Sequence, residues 1–227
     1  MAATFDAATD GVAAAATAIT VTHTATGTDR AAFAAGGCVD AAPQLVSSGT
    51  YAGSAMTERW DAVFATFYSH FALTIVAPTT GAQSVTVNFA GTNDNASLAV
   101  VTATSVDQTT PFGTAATATG NSTTPSVNVS AATDDLVVDN VIYVGTGTAT
   151  HGTGQTERTA NTNVAGEFGH YTSTEAGAAT VTMSHTIASA NWAIGGIAFK
   201  AAAAGASTFI KMVGNNFRLA GNGGLAG

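Results

Sequence analysis

The feature that most constrains this chain is the alternation of apolar residues with Thr, Ser and Asn in short runs. Val85, Val87 and Phe89 alternate with Thr86 and Asn88. The same alternation recurs at 19–22, 98–102, 126–130 and 180–187. A period of two residues indicates a β-strand with one buried face. Turn residues separate the runs at intervals of roughly 8–12 residues, which is typical of a sandwich or barrel. The sequence therefore predicts an all-β fold.

Two segments are apolar on both faces and a third is ambiguous. Residues 136–144 and 192–199 carry apolar side chains at both parities, so we expect central strands that are covered on both sides. Residues Phe64–Val76 fit either a helix or a strand, because their apolar residues match both periods. The β-branched end of this segment and its β surroundings favour a strand.

Composition excludes several classes of function. Only 9% of the residues are charged and the net charge is −8, so no basic stripe is present to bind nucleic acid. We find no apolar window long enough to span a membrane and no signal peptide, and expect synthesis in a host cytoplasm. Cys38 is the only cysteine, which excludes an intrachain disulfide and predicts a buried, inert thiol.

The two ends of the chain differ from its body. Residues 1–15 form a run of small residues, which we interpret as an N-terminal arm. All 14 acidic residues precede Lys200, whereas the segment 201–227 is apolar and basic. An apolar, basic segment beside an acidic body is a candidate docking peptide for a neighbouring subunit. The alternatives are a final strand folded on its own sheet or an unstructured end. The predicted docking residues are Phe209, Ile210, Lys211, Met212, Phe217, Arg218 and Leu219.

Four phrases in fixed order, at residues 105–113, 134–139, 173–186 and 191–200, carry a resemblance to a known family. Together they resemble the jelly-roll, concanavalin-A-like module of phage virion appendage and decoration proteins and of bacterial surface proteins. The resemblance covers roughly residues 16–200 and implies an antiparallel β-sandwich of about ten strands, with arms at 1–15 and 201–227. The family supplies no catalytic motif. The chain departs from it at residues 30–39, where a bulky apolar strand is usual.

Isolated polar residues offer only weak candidates for chemistry. The five histidines form no zinc motif, and we expect them at the surface or the rim: His23, His70, His151, His170 and His185. Minor candidates are a metal or sugar site at His151 and His170 with Glu157 and Glu167, a calcium site at Asp134, Asp135 and Asp139, and a glycosidase pair among Glu157, Glu167 and Glu175. We assign no catalytic residue, cofactor or metal ligand.

Together with these patterns, the resemblance implies a non-enzymatic phage virion protein. We expect a capsid decoration (cement) or tail appendage subunit that binds other virion proteins and copies of itself, and that binds neither nucleic acid nor membrane. The alternative is a tail fibre-like adhesin module that binds a host surface or polysaccharide. For that alternative, Trp60 is the predicted exposed platform on which a sugar ring would stack.

Overall fold

The computed structural model describes residues 1–203, which form strands and turns and contain no helix. All strand pairs are antiparallel, so the predicted all-β sandwich class is confirmed, with more strands than the ten or so expected. The strands are β1 (Thr4–Ala25), β2 (Ala31–Val39), β3 (Val46–Tyr51), β4 (Ser54–Ala55), β5 (Thr57–Phe64), β6 (Tyr68–Val76), β7 (Gly81–Thr104), β8 (Ala116–Ser122), β9 (Ser126–Val129), β10 (Leu136–Val144), β11 (Thr150–His151), β12 (Thr156–Val164), β13 (Phe168–Ala176), β14 (Val181–Thr186) and β15 (Ala190–Phe199). Within 1–203, no helix has the length and apolar character needed to cross a membrane.

Two main sheets pack face to face. The first sheet has seven strands in the order β4-β3-β7-β2-β6-β5, and β1 also pairs with β7. Its inner part, β1-β7-β2-β6-β5, is called the first main sheet, while β3 and β4 pair beside the first part of β7. The second main sheet has the order β8-β15-β10-β13-β12. One core cluster contains Phe33 and Val101 from the first sheet together with Val138 and Ile197 from the second. Gly37 lies so close to the second sheet that an added Cβ would sit 3.0 Å from Ile142 Cγ1. The predicted central strands 136–144 and 192–199 are confirmed as β10 and β15.

Each main sheet is also covered on its outer face. Strands β1 and β7 are 22 and 24 residues long, and a break in their register between Ala16 and Ala18 separates two paired stretches. The stretch containing Ile19 and Val87 packs over Leu73 of the first main sheet. On the second main sheet, β9, β11 and β14 form a separate three-stranded cover. The molecule therefore has four layers, and its central strands are buried on both faces.

The four layers explain the composition of β2, the region that departs from the family pattern. Every residue of β2 is buried. Phe33 faces the second main sheet, while Ala34 faces the outer layer. Gly36 lies against the backbone of β7, where an added Cβ would collide with the carbonyl oxygen of Ser97. Small residues occur here because the chain is crowded by its own sheet at Gly36 and by Ile142 of the second main sheet at Gly37.

The structure corrects the prediction for the N-terminal arm. Residues 4–15 form the first part of β1, which pairs with β7 from the Thr4–Thr104 position onward. Pairing with β7 gives the backbone N–H and C=O groups of this segment their hydrogen-bond partners, although its side chains are small. At the other end, residues 201–203 still contact the sandwich, through a bridge between Val106 and Ala201. The predicted docking residues between Phe209 and Leu219 lie outside the described residues.

The ambiguous segment Phe64–Val76 is a strand with a turn at its start. β5 ends at Phe64 and β6 begins at Tyr68. Ala65 and Thr66 adopt positive φ angles of 46° and 68° in the turn between them. The strand interpretation is therefore confirmed for 68–76, and the helix alternative is wrong.

Candidate functional site

The interior contains most of the histidines, contrary to the sequence-based expectation. His23, His70, His170 and His185 are all at most 3% exposed, and only His151 is partly exposed. The prediction of surface or rim histidines is therefore wrong for four of the five. The physical reason is that both faces of the central strands are covered: His70 and His170 lie between the two main sheets, whereas His23 and His185 lie under the outer layers. These buried side chains make three polar clusters.

The first cluster lies between the two main sheets and consists of His70, Asn140 and His170. His70 Nε2 lies 2.7 Å from Asn140 Oδ1, and Asn140 Nδ2 donates to His170 Nε2. A single asparagine thus requires His70 Nε2 to carry a proton and His170 Nε2 to lack one. The indole Nε1 of Trp60 is 3.4 Å from the same His70 nitrogen, and because that nitrogen is a donor, the shorter contact to Asn140 prevails.

Burial keeps both central histidines neutral. It lowers the pKa of His70 to about 4 and that of His170 to about 3, with His70 adding to the effect on His170. A neutral imidazole is chemically a base, but access to it is restricted. The cavity that reaches His70 has a volume of about 60 Å³, enough for one or two waters and far below the size of a substrate pocket.

The second cluster joins the second main sheet to its cover. Asp139 accepts hydrogen bonds from the backbone N–H of Ser173 at 2.8 Å, from Ser173 Oγ at 2.7 Å and from His185 Nε2 at 2.7 Å. Gln155 Nε2 donates to Ser173 Oγ at 2.6 Å, and Gln155 Oε1 accepts from the backbone N–H of Ser184 at 2.9 Å. All four side chains are buried.

Ser173, His185 and Asp139 are the residue types of a hydrolase triad, but their arrangement differs. In a triad the imidazole lies between the carboxylate and the hydroxyl. Here the carboxylate contacts both of the other groups, and His185 Nδ1 has no hydrogen-bond partner. The hydroxyl therefore lacks a base to activate it, and this cluster serves to tie two layers together.

The third cluster lies between the first main sheet and its outer layer, because His23 belongs to the outer stretch of β1. His23 Nδ1 is 3.1 Å from Thr9 Oγ1, and His23 Nε2 is 3.1 Å from Thr102 Oγ1. Thr102 Oγ1 in turn donates to Asp6 at 2.9 Å. Burial lowers the pKa of His23, and the nearby Asp6 carboxylate opposes this only in part.

The minor metal, sugar and glycosidase candidates are brought together only in part, since His151 Nδ1 lies 4.0 Å from Glu157 Oε2. Among residues 1–203, no group of three His, Cys, Asp or Glu side chains is placed to hold a metal ion. His170 is inside the core, whereas Glu167 is on the surface. Asp139 is saturated by protein donors, and Asp135 accepts hydrogen bonds from the backbone of Ala132 and Ala201.

Trp60 is not the exposed platform that the sequence suggested. Its side chain is half-buried and packs against the core between the two main sheets. The ring lies so close to β15 that a Cβ added to Gly195 would sit 2.5 Å from its Cζ2 atom. Its centroid is 5.7 Å from that of Phe33. A ring held in this way has little free face on which a sugar could stack.

Cys38 is buried, as predicted. Its Sγ lies 2.6 Å from Ser69 Oγ. Burial raises the pKa of the thiol to about 11, which disfavours the reactive thiolate.

An open groove lies where the described chain ends. It has a volume of about 550 Å³ and is lined in part by Asp107, Asp135 and Lys200. The amino group of Met1 is 3.3 Å from the carbonyl oxygen of Ala202, so the first residue and the start of the C-terminal segment lie side by side here. Comparison with protein-family models, with curated proteins and with solved structures found no significant match to this chain.

Proposed function

We propose that this chain is a non-enzymatic structural subunit of a phage virion, either a capsid decoration protein or a tail appendage protein. The carrying observation is the position at which the C-terminal segment begins: Ala201 lines a groove that also contains Asp107 and Asp135. The sequence continues there with an apolar, basic segment whose charge is opposite to that of the body. In the proposal, this segment docks onto a neighbouring virion subunit and stabilises the assembled state.

The interior supports a structural role over a catalytic one. His70, His170 and His185 each hydrogen-bond to another core side chain. The Cys38 thiol is held in its protonated form. Groups that an enzyme would present in a cleft are here part of the packing between layers.

The test uses virion particles assembled without this protein. The full chain should bind these particles, and a chain ending at residue 203 should stay folded but fail to bind. A full-length Phe209→Ser/Phe217→Ser variant should bind at least tenfold more weakly, since it loses apolar contact area while the length is kept. Val12→Ser and Val76→Ser, at exposed positions of the sandwich, are the matched controls and should bind normally.

Equal binding by the full chain and the truncated chain would rule out the C-terminal segment as the docking element. If neither binds, and both are monomers by light scattering, the virion proposal is wrong. A glycan-binding screen of the same proteins then tests the adhesin alternative, for which tight binding to a defined saccharide would be the positive result.

A further inference from the structure

The two halves of the chain repeat one strand topology. We define the N-terminal half as residues 1–106 and the C-terminal half as residues 107–203. The first main sheet, β1-β7-β2-β6-β5, comes from the N-terminal half, and the second, β8-β15-β10-β13-β12, comes from the C-terminal half. In the first main sheet, β1 lies at the edge beside β7, and β2, β6 and β5 follow. In the second main sheet, β8 lies at the edge beside β15, and β10, β13 and β12 follow in the corresponding order. Each half also has its own core under its outer layer.

The hairpins β5–β6 and β12–β13 match along most of their length, with one extra residue in β12 at its second register shift, between Asn161 and Val164. Each begins with Thr-Glu-Arg, at 57–59 and at 156–158, and each has a register shift at the arginine. Arg59 Nε donates to Thr74 Oγ1 at 2.7 Å, and Arg158 Nε donates to Thr174 Oγ1 at 2.7 Å. The turns between the strands both contain an alanine with positive φ, 46° at Ala65 and 51° at Ala165.

The pairing registers extend this match through the sheets. Val39 pairs with Tyr68 in one half, and Val144 pairs with Phe168 in the other. Ala31 pairs with Ala103, and Leu136 pairs with Phe199. Residue 70 is thereby equivalent to 170, 39 to 144, and 103 to 199. The segments 81–87 and 177–183, Gly-Ala-Gln-Ser-Val-Thr-Val and Gly-Ala-Ala-Thr-Val-Thr-Met, align in the same frame.

Equivalent residues meet each other between the sheets. His70 and His170 share Asn140. The rings of Tyr68 and Phe168 are 6.2 Å apart, edge to face. Gly37 lies against its equivalent, Ile142. Equivalent positions contact one another only where a two-fold axis passes between them, as in the isologous interface of a homodimer.

Contacts away from this axis occur in reciprocal pairs, as two-fold symmetry requires. The guanidinium of Arg59 lies over the ring of Phe112, 4.9 Å from its centroid. The guanidinium of Arg158 lies over the ring of Phe5 at 3.6 Å. Phe5 pairs with Ala103 and Phe112 bridges to Phe199, so the two phenylalanines are themselves equivalent. Each half therefore gives the other the same arginine–aromatic contact.

We infer that the chain is a tandem duplication of one β-sandwich unit of about 100 residues. Its two halves pair across a pseudo-two-fold axis, and the partner that the inner face of each unit fits is a second copy of the same unit. This inference does not depend on the proposed virion role.

The duplication predicts that side chains can be exchanged between equivalent positions as a set. The buried polar cluster of the C-terminal half and its apolar counterparts in the N-terminal half occupy the same sites: Asp139 and Ala34, His185 and Phe89, Ser173 and Leu73, Gln155 and Met56. The four N-terminal residues pack together in one core. We therefore expect Ala, Phe, Leu and Met to pack together when they are placed at the equivalent positions of the C-terminal half. Nothing in the C-terminal half by itself predicts this set of four residues.

The test compares two quadruple variants of the full chain that have identical composition. The matched variant is Asp139→Ala/His185→Phe/Ser173→Leu/Gln155→Met. The permuted control, Asp139→Phe/His185→Ala/Ser173→Met/Gln155→Leu, introduces the same four residues at non-equivalent positions. We expect the matched variant to melt within about 5 °C of wild type and the permuted variant to melt at least about 10 °C lower. A matched variant that is no more stable than the permuted one would overturn the inference, including the case in which neither folds.

A second measurement addresses the interface. Gln108, Thr109 and Thr110 are exposed in the connection between the halves. A protease site inserted there in the full chain should allow cleavage into two fragments that remain one particle in size-exclusion chromatography. Separation of the fragments under native conditions would contradict a dimer-like interface. The same site inserted at the exposed β5–β6 turn, within one half, is the control and should destabilise the protein more.

Discussion

In the N-terminal half, the space between the main sheet and its outer layer is filled by Ala34, Leu73 and Phe89. In the C-terminal half, the equivalent space holds Asp139, Ser173 and His185, joined by hydrogen bonds. The same backbone positions thus carry an apolar cluster in one half and a polar cluster in the other. The difference teaches that the fold requires this space to be filled without leaving a polar group unpaired. Apolar side chains and a fully hydrogen-bonded polar cluster both meet that requirement.

The opposite replacement also occurs: one polar cluster of the N-terminal half corresponds to apolar residues in the C-terminal half. The polar cluster of the N-terminal half is His23, Thr9 and Thr102. The equivalent residues of the C-terminal half are three alanines that belong to or pack on its apolar core, namely Ala131, Ala116 and Ala198. Within each cluster the residues differ between halves as a group, which is expected if a buried polar residue is tolerated only together with its partners.

The largest predicted effect comes from placing one polar residue without its partners. Ala34→Asp would put a carboxylate beside Leu73 and Phe89, where no donor replaces Ser173 and His185. We expect the free energy of unfolding to fall by about 3–5 kcal/mol, the cost typical of an uncompensated buried charge. Urea denaturation followed by circular dichroism measures it. Ala14→Asp, at an exposed position of β1, is the control and should change stability by less than about 0.5 kcal/mol. An unchanged midpoint for Ala34→Asp would show that the two clusters are not comparable.

The next effect is a loss of stability in acid, carried by the central histidine pair. An unfolded histidine binds a proton near pH 6.5, whereas folded His70 stays neutral until its pKa of about 4 and His170 until about 3. The unfolded state therefore binds more protons than the folded state below pH 6.5, and the unfolding free energy falls from pH 6.5 to pH 4. Each histidine contributes a loss of about 3 kcal/mol over this window. His23, whose pKa burial also lowers, adds a loss of the same sign.

Two carboxylates act in the opposite direction, because burial raises the pKa of Asp61 and that of Glu175. Burial raises the pKa of Asp61 to about 6, against 3.8 in the unfolded chain. The folded state therefore binds a proton at Asp61 before the unfolded state does, and this adds stability as the pH falls from 6 to 3.8. Urea unfolding at pH 7 and pH 4.5 measures the net effect, which we expect to be a loss. The slope with pH should be smaller in His70→Gln and in His170→Gln, by similar amounts, since the two positions are equivalent. A slope unchanged in both variants would contradict the assignment.

The smallest effect concerns the reciprocal arginines. Arg59→Lys and Arg158→Lys each lose the hydrogen bond from Nε and the planar contact with a phenylalanine, and each should cost about 1 kcal/mol. Arg158→Lys should cost more, since its guanidinium lies 3.6 Å from the ring centroid of Phe5 against 4.9 Å for Arg59 and Phe112. Thermal unfolding of the two single variants and of the double variant provides the comparison, and the effects should add. A measurable effect in only one half would break the equivalence.

The repeat left a trace in the sequence that periodicity alone did not reveal. Thr-Glu-Arg occurs twice, and a histidine follows each copy at nearly the same distance, at 70 and 170. A triplet and one histidine are too short to separate from chance in a chain rich in Thr and Ala. Their meaning became visible only when the strand registers aligned them.

The sequence by itself determined the class of fold and the identity of two strands that are covered on both faces. The spacing of apolar residues is a local property, so it was sufficient to predict β-structure and the doubly apolar strands β10 and β15. Tertiary structure alone decided the number of layers. His70 and His185 occupy faces that the sequence assigned to the rim, and residues 4–15 form a strand because β7 pairs with them. The physical reason is that the period of a strand tells which side chains share a face, while the pairing of distant segments decides whether that face is covered.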